Sequence, residues 1–220
     1  MKRFVIIGTM AVLISCVSQA QIRFGGGVHG GIAFSSFPKD VKDYFGTGFD
    51  IGAHVDMSIL KYLGLRLSAD YYGIPSDKSK VGELLVKAFT VGGQPADAAK
   101  TTVSGYNSRD LAIYLNAIGR LSTGMMVTPY ATLGFGVNIL SASDMKVEYS
   151  GLGDITQDLT NLGIISKPET KTKMGMNAGA GAEFKLGILV LYAEFKYVLV
   201  FTEGGNTSLL PITIGVTITP

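Results

Sequence analysis

The chain has 220 residues, of which 47% are hydrophobic and only 16% are charged. Soluble domains carry about 25% charged residues, so this composition speaks against a freely soluble enzyme and excludes a disordered chain. Lys and Arg together number 19, against 17 Asp and Glu. This near-neutral balance gives no electrostatic reason to expect nucleic acid as a partner.

The first twenty residues form a predicted export signal. Two basic residues, Lys2 and Arg3, precede an apolar run over residues 4–14, and Ser18-Gln19-Ala20 places small residues where a signal peptidase cuts. We therefore expect cleavage between Ala20 and Gln21, with a signal peptide over residues 1–20 and one domain over residues 21–220. Losing two of the 19 basic residues leaves their number equal to the 17 acidic ones.

Cys16 supports a second interpretation of this segment. Residues 13–16, Leu-Ile-Ser-Cys, resemble a bacterial lipobox, in which the cysteine is lipidated and retained. If the cut instead follows Ala20, the mature chain has no cysteine, because Cys16 is the only one. Disulfides, thiol catalysis and cysteine metal ligands are then excluded.

Eight later segments alternate apolar and polar residues, and in each the charged residues fall on one face, which is typical of β-strands. They are longer than the average soluble strand of about 5–6 residues and long enough for the roughly 9–11 residues of a tilted membrane strand. The segments are residues 22–34, 47–59, 63–72, 110–121, 125–139, 172–185, 189–201 and 209–219.

The connections between these segments alternate strictly between short and long. This pattern favours short periplasmic turns and long external loops. The most apolar stretch, residues 187–201, contains Glu194 and Lys196 and is shorter than the roughly 20 residues of a spanning helix. We therefore predict an all-β fold, an eight-stranded antiparallel up-and-down transmembrane β-barrel in the bacterial outer membrane.

The two longest connections, 75–109 and 141–171, are each predicted to contain a short helix. Val81, Leu84, Leu85 and Ala88 have helical spacing in the first. Asp154 is a predicted helix N-cap in the second, where Gly163 closes the helix. We expect the two helices to pack on each other over the barrel mouth. The alternative is a surface that binds an extracellular or envelope protein.

The inward faces are predicted to carry equal numbers of basic and acidic residues. An eight-stranded barrel has an interior just wide enough for side chains, so these charges are expected to pair in a filled polar lumen. A narrow ion path is the alternative. The predicted lumen charges are Arg23, Arg66, Arg120, Lys173, Lys185 and Lys196 against Asp50, Asp56, Asp70, Asp110, Glu183 and Glu194.

The only two histidines, His29 and His54, are also expected inside the lumen. His54 and Asp56 share a strand face, and a His–Asp pair can orient a general base. Both positions fall in the middle of a strand, however, where a bulky substrate would not reach. No third metal ligand is evident, although zinc needs at least three from the protein. We therefore predict polar core histidines, no catalytic, cofactor or metal site, and no enzyme activity.

The chain resembles the small eight-stranded outer-membrane barrels. The resemblance is greatest to the PorT-like β-barrel domain proteins of Bacteroidetes and more distant to the outer-membrane protein A and X barrels. The residues that carry this resemblance are the Ser18–Gln21 junction, the glycine-rich stretch 24–31 and the strands joined at Leu186-Gly187. Such barrels usually end in an aromatic residue, whereas this chain ends at Pro220.

The resemblance implies an integral membrane protein surrounded by outer-membrane lipid. Its implied role is structural or interactive, in envelope integrity, surface presentation or assistance to secretion. A narrow porin-like channel for ions or small solutes is the alternative.

Overall fold

The computed structural model describes residues 22–36, 44–91, 94–121, 126–203 and 205–219. In chain order the elements of this part are β1 (Arg23–Ser36), β2 (Thr47–Ser58), β3 (Leu63–Ile74), α1 (Lys78–Val86), β4 (Thr90–Val91), β5 (Gln94–Pro95), a 3-10 turn (Ala98–Lys100), β6 (Thr101–Gly105), β7 (Ser108–Arg120), β8 (Val127–Ala142), β9 (Met145–Tyr149), β10 (Gly153–Asp154), α2 (Thr156–Asn161), β11 (Lys171–Leu186), β12 (Leu189–Val200) and β13 (Thr207–Ile218).

Eight of these strands close into a barrel in the order β1-β13-β12-β11-β8-β7-β3-β2, and every neighbouring pair is antiparallel. The ring is closed by the pairing of β1 with β13. The predicted eight-stranded antiparallel barrel is confirmed. The strand ends differ from the predicted ones by at most three residues in either direction, and β8 ends at Ala142 rather than at residue 139.

The alternation of residue types corresponds to two different surroundings. Large apolar side chains on the outside of the barrel are exposed, among them Ile51, Leu133, Phe135 and Ile214. Their neighbours along the same strands point inward, and many of these are buried polar residues. A continuous apolar belt of this kind is stable when it faces hydrocarbon. Among the described residues, no helix is long and apolar enough to cross a membrane.

The two longest loops fold together into a structure that we call the cap, residues 75–107 and 143–170. A three-stranded sheet, β10-β9-β6, forms its centre. Helix α1 packs on β6 and α2 packs on β9. The shared apolar core consists of Val81, Leu85, Phe89, Ala96, Val103, Val147, Ile155 and Leu159.

The cap differs from its prediction in three respects. The helices pack against a sheet that the sequence reasoning missed. Leu84, predicted on the buried face of the first helix, is 52% exposed. The N-cap position of α2 is Ile155 rather than Asp154. Asp154 nevertheless accepts hydrogen bonds from the backbone N–H and hydroxyl of Thr156, which lower the pKa of its carboxyl group.

The cap sheet continues the barrel wall. Ser108 pairs with Ala142 at the top of the β7/β8 ladder, and Gly105 pairs with Met145 at the base of the β6/β9 ladder, so the register is unchanged. The backbone N–H of Ser143 donates to the carbonyl of Asn107 at 2.9 Å across the junction. Gly105 and Tyr106 have positive φ angles of 79° and 58°, which bend the ribbon there.

An apolar layer closes the lumen at its loop end, below the cap. The inward side chains at this level belong to Ala33, Tyr72, Ile74, Ala112, Tyr114, Val198, Val200 and Leu209, all of them buried. Phe45 and Leu140 pack against this layer. This level also contains buried polar residues, because Tyr72 pairs in register with both Asp50 and Asp110, and the Tyr114 hydroxyl donates to Asn138.

Candidate functional site in the lumen

The half of the lumen toward the short turns contains a network of ion pairs. Arg66 forms a bidentate pair with Asp56, with N–O distances of 2.7 and 2.9 Å. Its Nη1 also lies 3.4 Å from Glu194 Oε2. Arg120 joins the same network, with Nε 2.9 Å from Glu183 Oε1 and Nη2 3.6 Å from Asp56 Oδ2. These side chains come from five different strands, so only barrel closure brings them together.

Lys196 links this network to a second group of residues toward the loop end. Its Nζ lies 3.4 Å from Glu194 Oε1 and 3.2 Å from Asp70 Oδ1. Asp70 also accepts a hydrogen bond from Ser68 Oγ at 2.7 Å, and its Oδ1 lies 2.9 Å from His29 Nε2. Asp50 Oδ1 is 3.7 Å from the same nitrogen. The ionisable residues thus form one continuous chain along the lumen.

Asp110 lies apart from this chain. Its Oδ2 accepts a hydrogen bond from Asn138 Nδ2 at 2.7 Å, and Asn138 Oδ1 accepts one from the Tyr114 hydroxyl at 2.6 Å. Asp110 Oδ1 has no hydrogen-bond partner among the described residues. This carboxyl group is therefore held by an amide group, itself positioned by the Tyr114 hydroxyl, instead of by a base.

The six basic and six acidic residues predicted to face the lumen lie at different depths. All six acids are buried, but three of the six bases lie at the ends of the barrel. Arg23 and Lys185 are exposed at the short-turn mouth. Lys173 lies at the loop end and pairs with the exposed Glu203 at 2.6 Å. Away from its two ends, the described lumen therefore contains six acids but only three bases, namely Arg66, Arg120 and Lys196.

The predicted His54–Asp56 contact does not form. Asp56 forms its ion pair with Arg66 instead. His54 contacts Thr217 Oγ1 at 2.9 Å and the Tyr192 hydroxyl at 3.4 Å. The histidine with acidic neighbours is His29, whose ring stacks on that of His54 at a centroid distance of 6.1 Å. Sequence reasoning missed the His29–Asp70 contact because the two residues lie on strands that do not pair with each other.

Two inward glycines provide the space for the histidine rings. A Cβ atom at Gly52 would lie 2.6 Å from Cε1 and Nε2 of His29. A Cβ atom at Gly27 would lie equally close to Cε1 of His54. Real Cβ contacts of this length do not occur, so each ring depends on the glycine of the adjacent strand. The glycines thus fix the direction in which the histidines point.

The short-turn end of the lumen opens into a cavity of about 830 Å³. Its lining includes Arg23, Asp56, Arg120, Glu183 and Lys185. The lumen therefore differs at its two ends, with a charged cavity at the short turns and an apolar layer below the cap. The predicted cleavage residues Ala20 and Gln21, together with Cys16 and Pro220, lie outside the described residues.

A closed eight-stranded barrel with an apolar outer belt and ionisable residues enclosed within it defines an integral outer-membrane β-barrel protein. The comparison with family models agrees with this class. The chain belongs to the family of outer membrane protein β-barrel domains, whose model matches residues 7–218. The predicted location in the bacterial outer membrane is confirmed. Short turns face the periplasm in this class and long loops face outward.

Solved structures show the same fold. The chain is similar to Neisserial surface protein A, with 15% identity, a TM-score of 0.50 and coverage of 90% of this chain and 96% of the other. It is similar to a major outer membrane protein from Thermus thermophilus, with 13% identity, a TM-score of 0.52 and coverage of 90% and 99%. No curated protein matches the chain.

Proposed function

We propose that this protein is a non-conducting barrel that anchors a folded interaction surface, the cap, at the cell exterior. The observation that carries this proposal is the apolar layer between the lumen and the cap. Val198 and Val200 are fully buried there, and Tyr72 and Leu209 are nearly so. Ions need a hydrated path, and apolar constrictions of this kind exclude water.

The cap supports a role in binding because it is built as a folded unit. A solvated loop needs no apolar core, yet this one has eight buried apolar residues and a sheet in register with the barrel wall. Its surface exposes Leu84, Leu152 and Leu162, the last at 71%. These leucines give the folded cap apolar side chains with which to contact another molecule. An extracellular or envelope protein is the proposed partner.

A more specific version of this proposal is that the protein is related to the PorT-like proteins and assists secretion. Such a role also needs a rigid external surface on a membrane anchor. The prediction that the chain is not an enzyme stays a prediction. The buried positions of His29 and His54 support it, because a bulky substrate would not reach them.

Topology and presentation are tested together by epitope insertion in intact cells. An epitope after Gly151, in the exposed turn between β9 and β10, should be labelled by antibody from outside. The matched control is the same epitope after Gly187, in the short turn between β11 and β12, which should be labelled only after permeabilisation. The reverse pattern would overturn the assignment of the cap to the exterior.

Conduction is tested in planar bilayers with the purified barrel. We expect no single-channel steps from the wild-type protein. The channel alternative has one specific observation in its favour, the excess of acids over bases in the lumen, and it predicts cation-selective steps. Steps that disappear in both Arg66→Ala and Asp70→Ala variants would establish that alternative and refute the non-conducting barrel.

A further inference from the structure

Asp50 and His29 are the two residues, among the acids and histidines of the described lumen, whose polar side-chain atoms all lack a hydrogen-bond partner. Asp50 is 2% exposed, and both of its carboxylate oxygens lack a hydrogen-bond partner among the described residues. A carboxylate buried in this way is costly unless a positive group lies against it. The basic nitrogen that lies against it, His29 Nε2, is 3.7 Å from Oδ1 and is shared with Asp70. Asp50 therefore lacks a partner of its own.

Three donor atoms converge at this point. His29 Nε2, one oxygen of Asp50 and one oxygen of Asp70 all lie within 4.8 Å of one another. Zinc bonds to nitrogen and oxygen are about 2.0–2.2 Å long, so tetrahedral ligand atoms lie about 3.4 Å apart. The observed separations from Nε2, 2.9 and 3.7 Å, lie on either side of that value.

The surroundings hold two of these donors in position. Gly52 pairs with both His29 and Asp70, and its missing side chain leaves the space in which the imidazole ring lies. Ser68 Oγ donates to Asp70 Oδ2 at 2.7 Å and so directs the other oxygen, Oδ1, toward the ring. Hydrogen bonds of this kind orient ligating carboxylates in metal sites.

The charge balance of the lumen also favours a bound cation. Arg66, Arg120 and Lys196 stand against six buried acids, which leaves an excess of three negative charges when all are ionised. A divalent ion at Asp50 and Asp70 would cancel two of these charges. It would lie beside Lys196, whose Nζ is 3.2 Å from Asp70 Oδ1.

We propose that His29, Asp50 and Asp70 form a structural site for one divalent cation of the zinc class inside the barrel. One imidazole nitrogen and two carboxylate oxygens are a donor set that zinc accepts, with water as a fourth ligand. Calcium takes six to eight oxygen ligands and magnesium six, so this three-residue set suits neither. The ion joins β1, β2 and β3 through their inward side chains.

The site is enclosed, which determines how it would be loaded. Asp50 pairs with Tyr72 of the apolar layer, which covers the site on its loop side, and the pair of Arg66 with Asp56 separates it from the short-turn cavity. Metal binding to such sites is coupled to folding, because the ligands converge only in the folded chain. The ion would therefore enter while the barrel closes.

The test is refolding of untagged protein, since a histidine tag would itself bind metal. The chain is unfolded in urea with a chelator and refolded into detergent micelles with or without Zn²⁺. Bound metal is then measured by mass spectrometry after gel filtration. We expect one zinc per barrel and a higher midpoint of thermal unfolding in the zinc sample. Cobalt should give the visible absorption of a tetrahedral Co²⁺ site.

Asp50→Asn keeps the shape of the side chain and removes its charge, and it should weaken zinc binding at least about tenfold. The matched control is Asp110→Asn, another buried lumen acid with an unpartnered oxygen, which is not one of the three converging ligands and should retain zinc. His54→Gln removes the neighbouring ring, which is not a ligand, and should also retain it.

Two results would overturn the proposal. One is wild-type protein that folds but holds less than about a tenth of an equivalent of zinc or cobalt. The other is an equal loss of metal in Asp50→Asn and Asp110→Asn. If Asp50→Asn does not fold, His29→Gln with the same metal measurement replaces it. Neither result bears on the cap, so the proposed surface role is judged separately by epitope labelling and conductance.

Discussion

His29 Nε2 lies 2.9 Å from Asp70 Oδ1, although β1 and β3 share no hydrogen bonds. Both strands pair with β2, where Gly52 stands between the two residues. The contact therefore reaches across an entire strand and is possible only because that strand has no side chain at this point. It shows how a narrow barrel brings together groups from strands that are not neighbours.

Substitution at Gly52 should test this contact directly. Gly52→Ala would place a methyl group 2.6 Å from the His29 ring and 2.7 Å from the Ala69 carbonyl oxygen. We expect a loss of about 1–3 kcal/mol in the free energy of unfolding, measured by urea titration in lipid vesicles. Gly30→Ala is the control, because its nearest neighbour would be 3.7 Å away. Equal stability of the two variants would contradict the proposed crowding.

Arg66 is expected to be the most important base of the lumen for stability. Arg66→Ala leaves Asp56 without its bidentate partner and removes one neighbour of Glu194. Breaking a buried pair in this way costs about 3–5 kcal/mol. Lys61→Ala, in an exposed short turn, should change stability by less than about 0.5 kcal/mol. A small effect of Arg66→Ala in the same unfolding assay would mean that the carboxylates find other partners.

The outer belt should respond to charge according to depth. Leu133 lies in the middle of β8, pairs with Ala117 and Ala178, and is exposed. Leu133→Arg should cost about 2–4 kcal/mol, as expected for arginine near the bilayer midplane. Leu121→Arg, directly after the short-turn end of β7, should cost about 0–1 kcal/mol. If both cost the same in vesicles, the belt is not arranged across the bilayer in this way.

The start of the mature chain remains a prediction from sequence. We expect the protein from outer membranes to begin at Gln21, and Cys16→Ser to leave its mass and location unchanged. Intact-mass spectrometry distinguishes this from lipidation, which would give a heavier species beginning at Cys16. Loss of that heavier species in Cys16→Ser would establish the lipoprotein interpretation instead.

The barrel could be predicted from sequence because each strand meets two different surroundings along its whole length. Hydrocarbon outside and an enclosed interior impose a period of two, and residues such as Leu133 and Thr132 follow it directly. The cap sheet gave no such signal. Its strand β6 has five residues, of which only Val103 is buried. Short strands with one buried residue cannot be separated from loops by periodicity.

The alternation of residue types also could not predict how deep in the lumen an inward residue lies. Lys185 and Glu183 share a face of β11, yet Glu183 is buried and Lys185 is exposed at the mouth. Val198 and Lys196 share a face of β12, yet the first belongs to the apolar layer and the second to the ion-pair chain. Which face a residue occupies follows from parity, whereas its depth depends on the stagger between strands.

The unbroken register from β7/β8 into β6/β9 has a mechanical consequence. Force on the cap would pull β7 and β8 in the same direction and would load the ladders that join them to β3 and β11 in shear, all bonds at once. The positive φ angles of Gly105 and Tyr106 change the backbone direction there, while the pairing on both sides keeps the same register. Tension on the cap would thereby reach the barrel wall in the membrane. The β7/β8 hairpin is thus the mechanical connection between the cap and the barrel.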